Sequence, residues 1–429
     1  MKKLLIVLTN KYPYGAGEPF MENELQHHLP NFDKICFFAT DVSASDPQTR
    51  SLPEKVTAFR TASGAREQLR RKDKTKAAAL FFAPDPVMRE EIKVRSLNPA
   101  QRAYLAYIEA RSLRVTEEIK SILKIDEARE YDEIVLYSYW LYTTANVALY
   151  LKTWLRDNGI VSTVKVISRA HGYDLYEYRS RMNYLPFRVR FLTEPDKIYP
   201  CSQNGKDYME KRFPFHKTPI EAAYLGTKDC GTAVYTGKKE EEPFYIVTCS
   251  RVVPLKRLEK VVDALSQLAQ RGETFYWTHI GGPVAGKEHY YEQLRQYAED
   301  HLPEAAYTFL GTIPNREVYE YYRAQHVDVF LNVSKSEGLP VSTMEAGSFG
   351  IPVIATDVGG TAEVIREGEN GFLLEKDFRT EELTDCLQTM IREEGNDRTE
   401  HRKAARRIWE ESFNADVNYK KFADEIAQL

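Results

Sequence analysis

Two doubly wound α/β domains are the fold this sequence predicts, and three observations carry the prediction. Short, continuous Val/Ile/Leu/Phe/Tyr runs alternate with amphipathic helical stretches almost throughout, as a parallel sheet covered on both faces requires. The chain has 429 residues, too many for one ordinary core and suited to two domains of about 200 residues each. The stretch TKDCGTAVYTGKKEEEP at 227–243 has no periodicity and is rich in Gly and charge, so it reads as a linker between two such sets.

The elements follow in order. The N-terminal MKKLLIVLTN begins like a signal peptide, but Leu4–Leu8 is too short for the ~7–15-residue apolar segment of one, and Asn10, Lys11 and Tyr12 end it. It reads as a first buried strand, Lys3–Thr9. Further strands are expected at Lys34–Thr40, Glu133–Tyr139, Val164–Arg169, Lys197–Ser202 and Ala222–Leu225. Residues 65–125 interrupt this rhythm with helices broken at Pro84, Pro86 and Pro99, either an inserted helical subdomain or a long excursion between strands. The second domain, 244–410, should hold strands Tyr245–Ser250, Tyr276–Gly281, Tyr307–Leu310, Val327–Val333, Pro352–Thr356 and Phe372–Leu374. Residues 411–429 form a C-terminal helix expected to return to the first domain, 1–226.

Composition excludes several classes. Hydrophobic residues at 43% and charged residues at 28% are ordinary for a globular chain, and no stretch reaches the ~20 apolar residues of a membrane span. The cysteines Cys36, Cys201, Cys230, Cys249 and Cys386 are scattered and form no CxxC pair, which speaks against a disulfide framework or a zinc site and fits a reducing cytoplasm. The net charge of −4 is unevenly spread: residues 1–226 carry 35 Lys+Arg against 28 Asp+Glu, the remainder 24 against 35. A basic half can face an anionic partner, and compositional drift between domains explains the split equally well.

The second half carries the chemistry. FYIVTCSRVVPLKRLEKVV puts Arg251, then Lys256 and Arg257, after a buried strand, where open α/β sheets bind ligands; a diphosphate would be neutralised there, and a solvated basic loop is the plainer reading. Gly281 and Gly282 follow one strand and Gly311 another, allowing close ligand approach or simply tight turns. In VDVFLNVSKSEGLPVSTMEAGSFGIPVIATDVGGTAEVI a strand leads into a loop with Glu337. Pro340 then opens a helix containing Glu345. Free N–H groups of Leu339, Val341 and Ser342 at that helix start suit an anion, while the two carboxylates suit hydroxyl groups. Together they describe a nucleotide-sugar pocket.

These motifs, E-G-L-P-x-S-x-x-E-A followed by G-x-P-V-I-A-T-x-V-G-G, resemble the signature of glycosyltransferase family 4, whose fold is GT-B: two Rossmann-like domains facing each other across a cleft. The resemblance covers essentially the whole second domain. It implies that Glu337 contacts the transferred sugar and Glu345 holds the ribose hydroxyls. Arg251 and Lys256 would neutralise the diphosphate, and Gly338, Leu339, Pro340, Val341 and Ser342 would meet sugar or phosphate through backbone.

In the first half, YPYGAGEPF after the first strand carries Gly15 and Gly17. Alone this is a turn; beside the resemblance it is the acceptor-side glycine loop. SRAHGYDLYE follows another strand, and His171, commonly a structural residue in such a place, corresponds to the family's histidine beside the transferring sugar; Asp174 would help shape the acceptor site. The segment YRSRMNYLPFRVRF, residues 178–191, interleaves Arg179, Arg181, Arg188 and Arg190 with aromatic side chains. It reads either as a peripheral contact with anionic membrane or as a helix packed on one face.

The resemblance further implies a retaining, metal-independent transferase of the bacterial exopolysaccharide or capsule type. No cofactor would be bound permanently. A UDP-sugar is the first expectation for the donor and a GDP-sugar the second, with the base read near Gly311–Val318; the acceptor would be a saccharide or a lipid-linked saccharide. No nucleic acid is expected, and the place would be the cytoplasm, at the inner face of its membrane. A nucleotide-sugar epimerase of the same fold and a noncatalytic nucleotide-sugar-binding protein are the alternatives.

Overall fold

A computed structural model describes residues 1–15, 17–43, 45–61, 66–160, 163–232, 242–393 and 396–429. It divides into two compact units, Met1–Tyr224 with Asp416–Leu429, and Leu225–Ala415.

The first unit is built on six parallel strands: β1 (Lys3–Thr9), β2 (Lys34–Ala39), β3 (Val56–Arg60), β4 (Glu133–Ser138), β5 (Thr163–Ala170) and β6 (Lys197–Pro200), in spatial order β3-β2-β1-β4-β5-β6. β1 lies at the centre and is buried from Leu4 onward, which is why it reads as a continuous apolar run. The expected strand Ala222–Leu225 is replaced by a single bridge from Ile198 to Ile220, and β3 stands at the sheet edge. The helices of 65–125 run at Arg66–Phe82, Pro86–Arg95 and Pro99–Ile122. They form the crossover from β3, at one edge, to β4 on the far side of β1. Leu105, Ile108, Val115 and Ile119 of the last helix join Leu4, Ile6 and Leu8 in one core.

The second unit repeats the plan with β7 (Phe244–Cys249), β8 (Phe275–Ile280), β9 (Tyr307–Gly311), β10 (Val329–Asn332), β11 (Val353–Thr356) and β12 (Gly371–Leu374), in order β12-β11-β10-β7-β8-β9 and parallel throughout. Of the expected linker, residues 233–241 lie outside the described residues. Thr227 is held: its N–H donates to Phe413 O at 2.9 Å, its carbonyl accepts from Ala415 N at 3.1 Å, and its hydroxyl accepts from Trp409 Nε1 at 2.7 Å. The helix Ala415–Ile426 then lies on the first unit, where Phe422 and Ile426 join Leu5, Val7 and Tyr137 in its second core.

The segment 178–191 is buried over much of its length. Tyr184, Leu185, Phe187, Arg188, Arg190 and Phe191 are all buried. Tyr184, Phe187 and Phe191 fill the core, and two of its four arginines are held inside: Arg188 donates to the Asp174 carbonyl and Arg190 Nη1 to Asn146 Oδ1 at 2.7 Å. Tyr178 and Arg181 are exposed. Among the described residues, no helix is long and apolar enough to cross a membrane.

Candidate active site

In the second unit the residues singled out from sequence gather where the strands end, the ligand-binding side of an open parallel sheet. The loop after β10 brings Glu337 to Lys256: Lys256 Nζ stands 2.6 Å from Glu337 Oε1, and Asn332 Nδ2 donates to the same oxygen at 3.3 Å. Burial would raise the Glu337 carboxyl, but the Lys256 charge and the hydrogen bonds prevail and hold it below its ordinary value. Glu337 is therefore a carboxylate with its counter-ion in place.

The helix Val341–Ser348 starts beside it. Pro340 is the residue before the helix rather than within its first turn, and no side chain caps the end. Pro340 O accepts from Thr343 Oγ1 at 2.6 Å and from Met344 N at 3.3 Å, while Val341 and Ser342 remain half-buried and Leu339 is buried. A helix start left uncapped at this end of the sheet, next to Lys256, is arranged to receive an anion.

Glu345, one turn into that helix, is buried and stands apart from Lys256. Asn315 Nδ2 donates to its Oε1 at 2.8 Å and the Tyr319 hydroxyl at 3.2 Å. Burial outweighs these bonds and pushes its carboxyl upward. Arg251 is exposed and, among the described residues, has no hydrogen-bond or ion-pair partner.

Three residues that sequence patterns did not single out hold this arrangement. Arg257 looks like half of a basic pair with Lys256, yet it is buried: its guanidinium donates to Val333 O at 2.7 Å, Lys376 O at 2.7 Å and Ser334 O at 3.2 Å, fastening the start of the Glu337 loop. Gly359, in the loop after β11, has φ +60°, and a Cβ there would lie 2.1 Å from the Glu337 carbonyl oxygen. With Gly360 N donating to Gly338 O at 2.7 Å, the Val-Gly-Gly loop supports Glu337 and Gly338 from behind. Asn332 forms the third support. The sequence signal existed for Gly359, since it lies in the quoted motif, but only the fold shows what it touches. Gly281 is also a packing glycine: a Cβ at its φ of +143° would lie 1.7 Å from Ser250 O, and its N–H donates to Gly311 O at 2.9 Å, tying β8 to β9.

The first unit holds the remaining residues. Gly15 N donates to Pro47 O at 3.2 Å and Gly15 O accepts from Thr49 Oγ1 at 2.6 Å, so this loop is anchored on the segment after β2; Ala16 lies outside the described residues, and Gly17 packs on the Lys11 side chain. The organiser is Glu18, which sequence reading passed over. Its carboxylate accepts from Asn10 N (2.6 Å), Lys11 N (2.8 Å), Tyr12 N (2.7 Å) and Trp140 Nε1 (2.7 Å), fixing the turn that leaves β1.

His171 ends β5 with its ring 4.5 Å from Trp140 and 4.8 Å from Tyr139, centroid to centroid. Its Nε2 lies 3.1 Å from Tyr139 O; a carbonyl only accepts, so Nε2 carries the proton and Nδ1 is the acceptor that the Asp174 backbone N–H meets. Burial, aided by Arg169, drops its pKa to about 3, so the imidazole is neutral. Asp174 bridges His171 N (2.6 Å) and Leu141 N (2.7 Å), and burial raises its carboxyl to about 7.

Comparison with known proteins gives this geometry a family. Residues 236–408 match the model of the glycosyl transferases group 1. A protein named for colanic acid biosynthesis, the glycosyltransferase WcaL of Escherichia coli, is 25% identical over 283 residues, covering 64% of this chain and 67% of that one. The amylovoran biosynthesis glycosyltransferase AmsK of Erwinia amylovora is 28% identical over 195 residues, 45% of this chain and 46% of that one, so the alignment spans under half of the relative. Among solved structures, Anabaena Alr3699/HepE in complex with UDP and glucose superposes with a TM-score of 0.65 at 17% identity over 100% of both chains. The sucrose-phosphate synthase of Thermosynechococcus elongatus gives 0.70 at 15% over 100% and 99%. These likenesses make the fold GT-B, two Rossmann-like domains. Through residues 236–408 the chain resembles the glycosyl transferases group 1.

Proposed function

We propose that this protein is a retaining, metal-independent glycosyltransferase that moves a sugar from a UDP-sugar to a saccharide or lipid-linked saccharide during surface polysaccharide synthesis. The observation that carries the reading is the Lys256–Glu337 pair beside the uncapped start of the helix Val341–Ser348, in a segment of this family. The relatives' names, colanic acid and amylovoran biosynthesis, support the pathway class, and the HepE complex with UDP and glucose supports the donor.

In this reading the diphosphate takes Lys256 from Glu337 and adds Arg251 and the first-turn N–H groups of the helix. Glu337, released, accepts hydroxyls of the transferred sugar, and Glu345 accepts those of the ribose. The bond from the anomeric carbon to the β-phosphate oxygen breaks with its electron pair going to UDP. The acceptor oxygen bonds to the same carbon on the same face and gives its proton to the departing phosphate oxygen. Lys256, Arg251 and the helix dipole offset the charge that develops, the task a cation performs elsewhere. His171, neutral, lies beside the transferring sugar.

Thermal denaturation with UDP, GDP, ADP or CMP, with magnesium and with a chelator, tests the reading. UDP at about 100 times its dissociation constant should stabilise the protein by roughly 2.7 kcal/mol, equally in both conditions. A response that requires magnesium removes the metal-independent claim, and no response to any nucleotide removes the pocket.

A further inference from the structure

The first unit contains a cavity that the reaction above does not use. It measures about 310 Å³ and is lined by Thr40, Asp41 and Val42 from the exit of β2, by Arg70, Asp73 and Lys74 of the helix Arg66–Phe82, and by Tyr107, Arg111 and Arg114 of the helix Pro99–Ile122. The β3–β4 crossover thus roofs the carboxyl end of β2, where a doubly wound sheet binds ligands. The Thr40–Asp41 wall is tied to the loop that leaves β1: Thr40 N donates to Thr9 O at 2.9 Å and Asp41 N to Asn10 O at 2.7 Å. Val42 packs with Tyr14, next to Gly15.

The charges in the wall are unequal. Arg114 is spent on protein, with Nε and Nη2 on Asp73 at 2.7 and 3.0 Å and Nη1 on Glu118 at 3.0 Å. Arg111 pairs with Asp41 at 3.1 Å. Both carboxylates of the lining are thereby engaged, whereas Arg70 and Lys74 are exposed at the rim and have no hydrogen-bond or ion-pair partner among the described residues. One guanidinium fork and one ammonium, four residues apart on one helix face, aim at the same opening. The phenol of Tyr107 and the hydroxyl of Thr40 lie deeper.

We infer that this cavity is an anion subsite for the acceptor, in which Arg70 and Lys74 grip a carboxylate or phosphate that the saccharide carries away from its reacting hydroxyl. The inference rests on the transferase reading above. Charge-assisted bonds from a fork and a point charge select such groups over neutral sugars. Two sources share the chemistry: an acidic sugar, and a phosphate that joins the saccharide to its carrier.

The test fills the donor site first. With saturating UDP present, the wild type and Arg70→Ala/Lys74→Ala are titrated with sodium pyrophosphate, glucuronate or glucose, and binding is read by calorimetry. Both proteins should keep the same stabilisation by UDP, which separates this claim from the donor reading. The wild type should bind an anionic probe at least tenfold more tightly than the double variant does, and should not distinguish itself on glucose. A preference for pyrophosphate identifies the phosphate source; a preference for glucuronate identifies the acidic sugar. Equal affinity of the two proteins for both anions overturns the subsite. Absence of the UDP response in the wild type overturns the donor reading instead.

Discussion

Lys256 and Glu337 satisfy each other at 2.6 Å, so each is defined by the other's charge. Replacing Lys256 with Met leaves Glu337 in a buried place where desolvation is the largest influence and acts to raise its carboxyl. In the wild type the carboxyl is depressed. The stability it lends is present above the unfolded value of about 4.3 and is lost as pH falls through the folded value. In Lys256→Met that contribution is gone at neutral pH, and protonation on acidification costs nothing further. The stability difference between the two proteins should therefore be widest near pH 7 and close below about pH 4. Denaturant titrations over that range measure it, and a constant gap would show that the pair is not coupled to the proton. UDP should bind Lys256→Met more weakly by about 1.5–3 kcal/mol, the scale of a charge-assisted hydrogen bond. At this scale the sequence displayed the side chains that gather after the strands of the second unit, because Glu337, Glu345 and Lys256 sit in motifs with fixed spacing. It hid Arg257 and Glu18. A buried arginine on three carbonyls and a buried carboxylate on four N–H groups spell the same letters as solvated ones.

Among elements, the loops after β10 and β11 act as one piece, since Gly359 sits against the Glu337 carbonyl and Gly360 binds Gly338. Gly359→Ala would push a Cβ to 2.1 Å from a backbone oxygen, which no side-chain rotation relieves, and would hold alanine in a left-handed conformation that costs about 1–2 kcal/mol. The loop carrying Glu337 must shift. UDP affinity and turnover should each fall at least tenfold while the far-UV circular dichroism stays that of the wild type; unchanged turnover would show that the loop has room to yield. The strands themselves were legible wherever burial on both faces demanded a continuous apolar run, as in β1, β4 and β7. β3, Val56–Arg60, was missed because after Val56 it is only half-buried at the sheet edge, so its sequence VTAFR carries no such run. Ala222–Leu225 runs past the end of β6, where Ala223 N donates to Pro200 O at 2.8 Å, and among the described residues the only bridge there is the one at Ile220, so no strand forms. The arginine-rich stretch 178–191 left two readings open for a related reason: composition gives the side chains but not the direction they face, and Tyr184, Phe187 and Arg188 face inward.

At the scale of the molecule, the chain completes its first unit last. Residues Asp416–Leu429 belong with Met1–Tyr224 although the whole of Leu225–Ala415 intervenes. What they cover includes a polar pair: Arg169 and Glu24 form a fully buried pair at 3.2 Å, Tyr137 donates to Glu24 at 2.8 Å, and Phe422 lies over the Arg169 guanidinium at 4.0 Å. Phe422 also meets Tyr199 and Tyr137 edge-on, at 5.0 and 5.5 Å between ring centroids. Burial strengthens the attraction within the pair and makes either partner costly to leave alone. Phe422→Ala removes the ring that closes the site, opens a cavity, and should destabilise the first unit by about 3–5 kcal/mol. UDP, bound by residues of Leu225–Ala415 under the reading above, should still stabilise the second unit by the wild-type amount. Calorimetric melting of the variant should then separate into a lower transition insensitive to UDP and an upper one that UDP raises. A single transition that moves with both the substitution and the nucleotide would show instead that the returning helix binds the two units into one cooperative fold, and that ligand binding in one is felt as stability in the other.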